Sequence, residues 1–310
     1  MKIKVLGELF KETFREWQED KTARLAAALA YYTVFSLAPL LIIAIAIAGS
    51  IFGEEAARGE IVGQIQGLVG SEGAQVIEAA IENASRPDAS SIASILSIIA
   101  LLFGASGVFA QLQDALNTVW EVKEKPGRGV MGFVRKRILS FSAVIGIGFL
   151  LLVSLLVSAV LSGLSGYLNG ILPGMNWIWQ VVNLAISFSI ITFLFALMYR
   201  YLPDVEIKWS DVWVGAAITA LLFVVGKSVL GLYLGRGSFG STYGAAGSLV
   251  IVLAWVYYSA QILFFGAEFT QVYARRFGDR IVPDENAVRL TEEERSKQGM
   301  KRRKQPPRGN

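Results

Sequence analysis

The chain has no histidine and no cysteine. Ser-His and Cys-His nucleophile pairs, imidazole or thiolate metal sites, disulfides and cysteine-linked haem are thereby excluded. Carboxylate, lysine, tyrosine and hydroxyl chemistry remain, and with no thiol to oxidise the redox compartment is left open. Charge is scarce as well. Asp, Glu, Lys and Arg make up 17% of the 310 residues, against ~25% in ordinary globular chains. Hydrophobic residues reach 54%, with 11% aromatic, and mean hydropathy is +0.50. A soluble pair of domains, which the length alone would suggest, does not have this composition.

The few charges avoid six stretches: 25–48, 92–110, 138–161, 177–199, 212–234 and 249–269. Each is close to the ~20 apolar residues that a helix needs to cross a bilayer core. The first four carry no charge, the fifth only Lys227 and the sixth only Glu268. The runs are apolar throughout rather than alternating, which specifies helices and not a barrel. The expected fold class is all-α: a polytopic membrane protein with six transmembrane helices.

Orientation follows from the connections, because Lys and Arg concentrate in cytoplasmic loops. With the N-terminus inside, the inner segments 1–24, 111–137, 200–211 and 270–310 hold 25 basic residues, and the outer segments hold 3. Both termini are therefore expected in the cytoplasm. Ala46-Ile47-Ala48 resembles a signal-peptide cleavage box. The run before it is too long for a secretory core of ~7–15 residues and lies behind a charged leader. The first helix is expected to be retained.

Three domains are expected: a cytoplasmic leader (1–24), a six-helix membrane domain (25–277) and a basic cytoplasmic tail (278–310). In the leader, Leu6, Leu9, Phe10, Thr13, Phe14 and Trp17 recur at helical spacing with Lys and Glu opposite. Such an amphipathic helix either lies in the inner interface or packs on the cytoplasmic ends of the bundle. The outer loop 49–91 repeats the pattern. Ile61, Ile65, Leu68 and Val69 form one stripe and Val76, Ile77, Ala80 and Ile81 another, split by Gly70-Ser71 and ended by Pro87. Two short helices resting on the outer surface are expected there. Past the second span, Leu112, Leu116, Val119 and Trp120 extend a helix that Lys125-Pro126-Gly127-Arg128-Gly129 should break, and Arg135-Lys136-Arg137 should anchor the third helix at lipid phosphates. The tail from about Asp279 is polar and lacks aromatics, so disorder is expected. Its basic run fits attraction to the anionic leaflet better than a nucleic-acid role.

Two glycine patterns imitate phosphate loops. Gly226-Lys227-Ser228 lacks the first glycine of a Walker motif and sits in a membrane helix, and Gly235-Arg236-Gly237-Ser238-Phe239-Gly240 follows a helix end rather than a strand. Neither supports nucleotide binding, and no cofactor or metal site is expected. The in-membrane polar residues are better candidates. Lys227 either snorkels to the outer interface or faces the bundle as a headgroup contact, with Arg236 a second contact at the mouth. Glu268 is a structural or ion-coupling candidate together with Gln261, its structural reading being a pair with Arg275 or Arg276. Gln180 and Asn183 read as interhelical hydrogen-bonders, and Pro39 as a kink in the first span.

The first span, Leu25-Ala26-Ala27-Ala28-Leu29-Ala30-Tyr31-Tyr32-Thr33-Val34-Phe35-Ser36-Leu37-Ala38-Pro39-Leu40, resembles the opening signature of the YihY/BrkB family of bacterial membrane proteins. So do Ala115-Leu116-Asn117 with Trp120, Tyr199-Arg200-Tyr201-Leu202-Pro203, Tyr243-Gly244-Ala245-Ala246-Gly247-Ser248 and Gly266-Ala267-Glu268-Phe269-Thr270. The resemblance covers about residues 10–277. It implies a six-helix inner-membrane type with no agreed catalytic or binding residues. The family has carried ribonuclease and virulence labels and a suspicion of lipid-related transport. The ribonuclease label fits poorly, since the acid, base and metal groups it needs are missing. The expected function is non-enzymatic transport or flipping of an anionic amphiphile, driven by an ion gradient, a partner or the substrate's own gradient. Membrane lipids are the expected partners, with a second copy of the chain or envelope proteins beside them and no nucleic acid. The alternative is a non-transporting scaffold for envelope assembly.

Overall fold

The computed structural model describes residues 3–84, 91–125, 176–236, 245–278 and 281–300. The leader forms α1 (Ile3–Glu19), and α2 (Thr22–Phe52) contains the first apolar run. After α3 (Glu54–Ala84), α4 (Ser91–Val119) contains the second run. α5 (Asn176–Tyr201), α6 (Trp209–Arg236) and α7 (Ala245–Phe277) contain the fourth, fifth and sixth. Among the described residues, four stretches are long and apolar enough to cross a bilayer: Thr22–Ser50, Leu184–Tyr201, Trp209–Lys227 and Leu249–Phe277. The protein is thus a mainly helical membrane protein. The third run, 138–161, lies outside the described residues, as do the break at Gly127 and the basic triplet at 135–137.

α1 takes the packed form of the two readings open to it. Leu9 is buried with Phe269 and Val272 of α7, and the Phe10 ring lies 5.3 Å from that of Phe269. Its polar side is tied to the same helix, Arg275 reaching Glu16 at 3.3 Å and Arg276 reaching Glu8 at 2.6 Å. α2 stays helical through Pro39, whose ring fits against α4 because residue 104 is glycine; a Cβ there would sit 3.0 Å from Pro39 Cγ. α3 breaks at Gly70, where φ is 81° and ψ 173°, a conformation glycine adopts without a Cβ clash. The segment Glu54–Ala84 is therefore two helices, as its stripes indicate. They are more than a surface covering: Ile61, Val69, Ile77 and Ile81 are buried against Leu41 and Ile45 of α2 and Val252 of α7.

The tail corrects the expectation of disorder over 278–310. Residues 281–300 are ordered. β1 (Val122–Glu124) pairs antiparallel with β4 (Ala287–Arg289), and β2 (Val205–Glu206) with β3 (Val282–Pro283). These two small ladders are an addition to the all-α reading. α8 (Glu292–Lys297) begins with a capping box between Thr291 and Glu294. The reason is specific pairing rather than apolar mass. Arg295, only 2% exposed, donates to Asp20 at 2.9 Å and to Glu121 at 2.6 Å. Lys123 donates to Glu294, and this bond, with the Thr291 amide, holds the Glu294 carboxyl at about 2, below its ordinary 4.5. The same device ends α4 earlier than the proline-glycine run implied. Glu121 takes φ 57°, turning the chain into β1, and its carbonyl accepts from Leu290 N at 2.8 Å.

Candidate functional site

α1, α8 and the strands gather at one end of the bundle, here the proximal end. There the helices are locked together by small residues and buried hydroxyls. A Cβ at Gly215 of α6 would overlap Thr270 of α7, and one at Gly266 would overlap Thr219 and sit 2.6 Å from the Tyr199 hydroxyl. Tyr199 donates to Leu263 O at 2.7 Å and lies 3.0 Å from Thr219 Oγ1. The buried hydroxyls of Tyr199, Thr219 and Thr270 are thus satisfied, as water-free packing demands.

The distal half is different. At ~100° per residue, Val212, Ala216, Ala220, Phe223 and Lys227 share one stripe of α6. Val212, Ala216 and Ala220 are wholly buried, Phe223 is partly buried against the same core, and Lys227 is exposed. α5 behaves in the same way. Tyr199, Ala196 and Thr192 are buried on a stripe that continues to Leu184 and Val181, which are 60% and 55% exposed. Both stripes thus pass from buried proximally to exposed distally, and Lys227 stands on the exposed part of the α6 stripe. Arg236 is the last residue of α6, nine positions on.

One stripe of α7 runs through Val250, Ala254, Tyr257, Gln261, Phe264 and Glu268. It passes from exposed at Val250 to wholly buried at Phe264 and Glu268. Gln261 Oε1 is buried with no hydrogen-bond partner among the described residues. Gly215 lies level with Thr270, and Gly226 with Tyr258 and Ile262. Glu268 is therefore level with about residue 217 of α6, roughly 15 Å along the axis from Lys227 at 1.5 Å per residue. The two charges are not brought together. Arg275 and Arg276, considered as partners for Glu268, pair with α1. Gln180 and Asn183 lie on α5 and Pro39 against α4. Among the described residues, no group of three or more acidic side chains could hold a metal ion.

Two proximal features have no signal in a single linear segment. Asp204 accepts from Asn117 Nδ2 at 2.7 Å and from Gln113 Nε2 at 3.2 Å, and its amide donates to Asn117 Oδ1 at 2.8 Å. Asn117 belongs to one of the motifs quoted above, and Asp204 directly follows Pro203 of another. Beside it, the α5–α6 turn, the end of α7 and β3 enclose a cavity lined in part by Arg200, Lys208 and Asp211.

A family model described as virulence factor BrkB matches residues 13–291. A UPF0761 membrane protein of Verminephrobacter eiseniae is 28% identical over 274 residues, covering 86% of this chain and 61% of that protein. One from Delftia acidovorans is 30% identical over 271 residues, covering 83% of this chain and 60% of its own length. The chain spans about three fifths of the length of these curated relatives. Neither relative's name states a reaction. No solved structure matches the chain.

Proposed function

The chain belongs to the BrkB family of membrane proteins, and from that premise we propose that it moves an anionic amphiphile, a phospholipid or a lipid-linked glycan, across or along the bacterial inner membrane. It would do so as a non-enzymatic six-helix protein with both termini cytoplasmic, the arrangement that the charge bias of its connections supports. The observation that carries the reading is the position of Lys227. It continues a stripe of α6 that is buried proximally, yet it is itself exposed, as are Leu184 and Val181 of α5. A phosphate leaving water for the apolar layer costs several kcal/mol per ion unless a counter-charge meets it. An exposed lysine at that depth supplies the charge, and the exposed Leu184 and Val181 of α5 suit acyl chains.

The test is flipping of labelled lipids in liposomes by the purified protein. Lys227→Met keeps length and apolarity, and no packed neighbour is lost because the side chain is exposed. Transport of anionic lipid should fall at least about tenfold, equivalent to ~1.4 kcal/mol, with neutral-headgroup lipid less affected. Equal rates on anionic lipid would remove Lys227 from the path. If the native protein moved no lipid at all, the scaffold reading would take its place.

A further inference from the structure

The proximal cavity has a volume of about 380 Å³. Arg200 and Lys208 line it together with Glu206 and Asp211, and Trp209 and Val282 add apolar wall. The Arg200 guanidinium donates to Ile207 O. Among the described residues that is its one recorded hydrogen bond, out of five donors. Asp211 is buried, receives Ser210 Oγ at 3.2 Å, and fits only because residue 278 is glycine. Arg200 and Trp209 stand at the ends of the candidate spans Leu184–Tyr201 and Trp209–Lys227. The cavity therefore lies at the level of lipid headgroups.

An exposed aromatic row leads away from it. Tyr201 and Trp209 have ring centroids 6.0 Å apart, Trp209 and Trp213 6.2 Å, and Trp213 and Phe193 6.2 Å. The row climbs the α5–α6 surface from the span ends towards mid-bilayer, about 12 Å at 1.5 Å per residue between Tyr201 and Phe193. Tryptophan and tyrosine favour the interface. A row continuing inward from a charged cavity also offers a track for an acyl chain.

We infer that this cavity binds the headgroup of one phospholipid bearing both a phosphate and a primary ammonium, with an acyl chain lying along the aromatic row. Guanidinium and ammonium groups take phosphate oxygens by charge-assisted bonds. Glu206 and Asp211 would repel a purely anionic headgroup, whereas an ammonium satisfies them, so complementarity selects the zwitterion. The volume is within the range of small-ligand pockets. A free phosphate or a soluble phosphoamine would make no use of the aromatic row. The inference stands apart from the transport reading, since a bound interfacial lipid serves packing as well as passage.

The experiment is native mass spectrometry of the delipidated full chain after adding back phosphatidylethanolamine, phosphatidylglycerol, phosphatidylcholine or a phosphate-free diglucosyl diacylglycerol. Glycerophosphoethanolamine and inorganic phosphate are the soluble arms. Phosphatidylethanolamine should be retained at one per chain, about tenfold more tightly than the phosphate-free lipid, as expected for one charge-assisted contact. Arg200→Gln, which keeps a donor for Ile207 O, should abolish that preference. Val282→Trp should do the same by filling the cavity without touching its charges, and it carries the test if the first variant folds poorly. Lys297→Met, at an exposed residue of α8 that does not line the cavity, should leave retention unchanged. Equal retention of phosphatidylethanolamine by the native protein and Val282→Trp would overturn the inference. So would equal retention of all lipids, or soluble headgroup binding as tight as the lipid.

Discussion

Replacing Arg295 by methionine should release the C-terminal segment while leaving the membrane helices in place. The guanidinium is 2% exposed and bridges Asp20, which is 0% exposed, to Glu121. Methionine retains most of the stem's volume but leaves the Asp20 carboxylate buried without its guanidinium. Breaking one side of a buried ion pair costs about 3–5 kcal/mol, much of it the penalty for the charge left behind. The segment is otherwise held by two short ladders, one capping box and the Lys123–Glu294 pair. A loss of ~3 kcal/mol raises its open population roughly a hundredfold if opening is local. Trypsin reports this directly, since Arg289 and Lys297 are already at the surface and cleavage then depends on unfolding of the segment. The variant should be cut after Arg289 about a hundred times faster, with α2 and α7 intact. Asp20→Asn in the same chain should restore part of the protection, because the stranded charge is gone. An unchanged cleavage rate in Arg295→Met would mean that the pair contributes nothing, and the account of why the tail is ordered would fail.

Gly266→Ala should destabilise the protein by ~1–3 kcal/mol through overpacking against Thr219; in a detergent thermal melt, Thr219→Ala should partly rescue it, and simple additivity of the two losses would contradict the close contact. Protection of the α8 amides should depend on acid. The Glu294 carboxyl sits at about 2 against an ordinary 4.5, so the unfolded segment takes up the proton first; its stabilising effect is complete above about 4.5 and is lost as pH falls towards 2. Hydrogen exchange at residues 291–300 measures this, and Lys123→Met should flatten most of the step. For orientation, a cysteine at Ser71 should react with an impermeant maleimide on intact cells, and one at Ser296 only after permeabilisation. Labelling of Ser296→Cys in intact cells would reverse the assignment of sides.

Apolar runs and helical stripes were legible because they record where a side chain must meet lipid or a neighbouring helix. The α1 stripe and the Gly70 break are of this kind. The order of the tail is not legible in the sequence, because it rests on few contacts between distant residues. Arg295 finds Asp20 and Glu121 across 275 and 174 positions, and polar composition says nothing about that. One local clue was present, the Thr291-Glu292-Glu293-Glu294 pattern of a capping box. Lys227 and Glu268 stood out as charges within apolar runs. Which of them the bundle buries is not visible in the sequence, since that depends on which faces the neighbouring helices cover. The proximal cavity was hidden for a related reason, because Arg200, Asp211 and Val282 each look ordinary in their own segments.

The burial of Val252 of α7 with Leu41 and Ile45 of α2 brings the first and last apolar helices of the chain side by side. Helices made in sequence enter the bilayer in sequence, yet α2 cannot complete its packing until α7 has been made. Its exposed flank must be tolerated by lipid, or by an insertion partner, throughout that interval. Long-range contacts of this kind slow assembly, because a large loop must close before they form. α3, folded back on α2 immediately after it in the chain, covers part of that flank early. It would act as a placeholder that α7 later shares, so weakening it should first be felt as poor biogenesis.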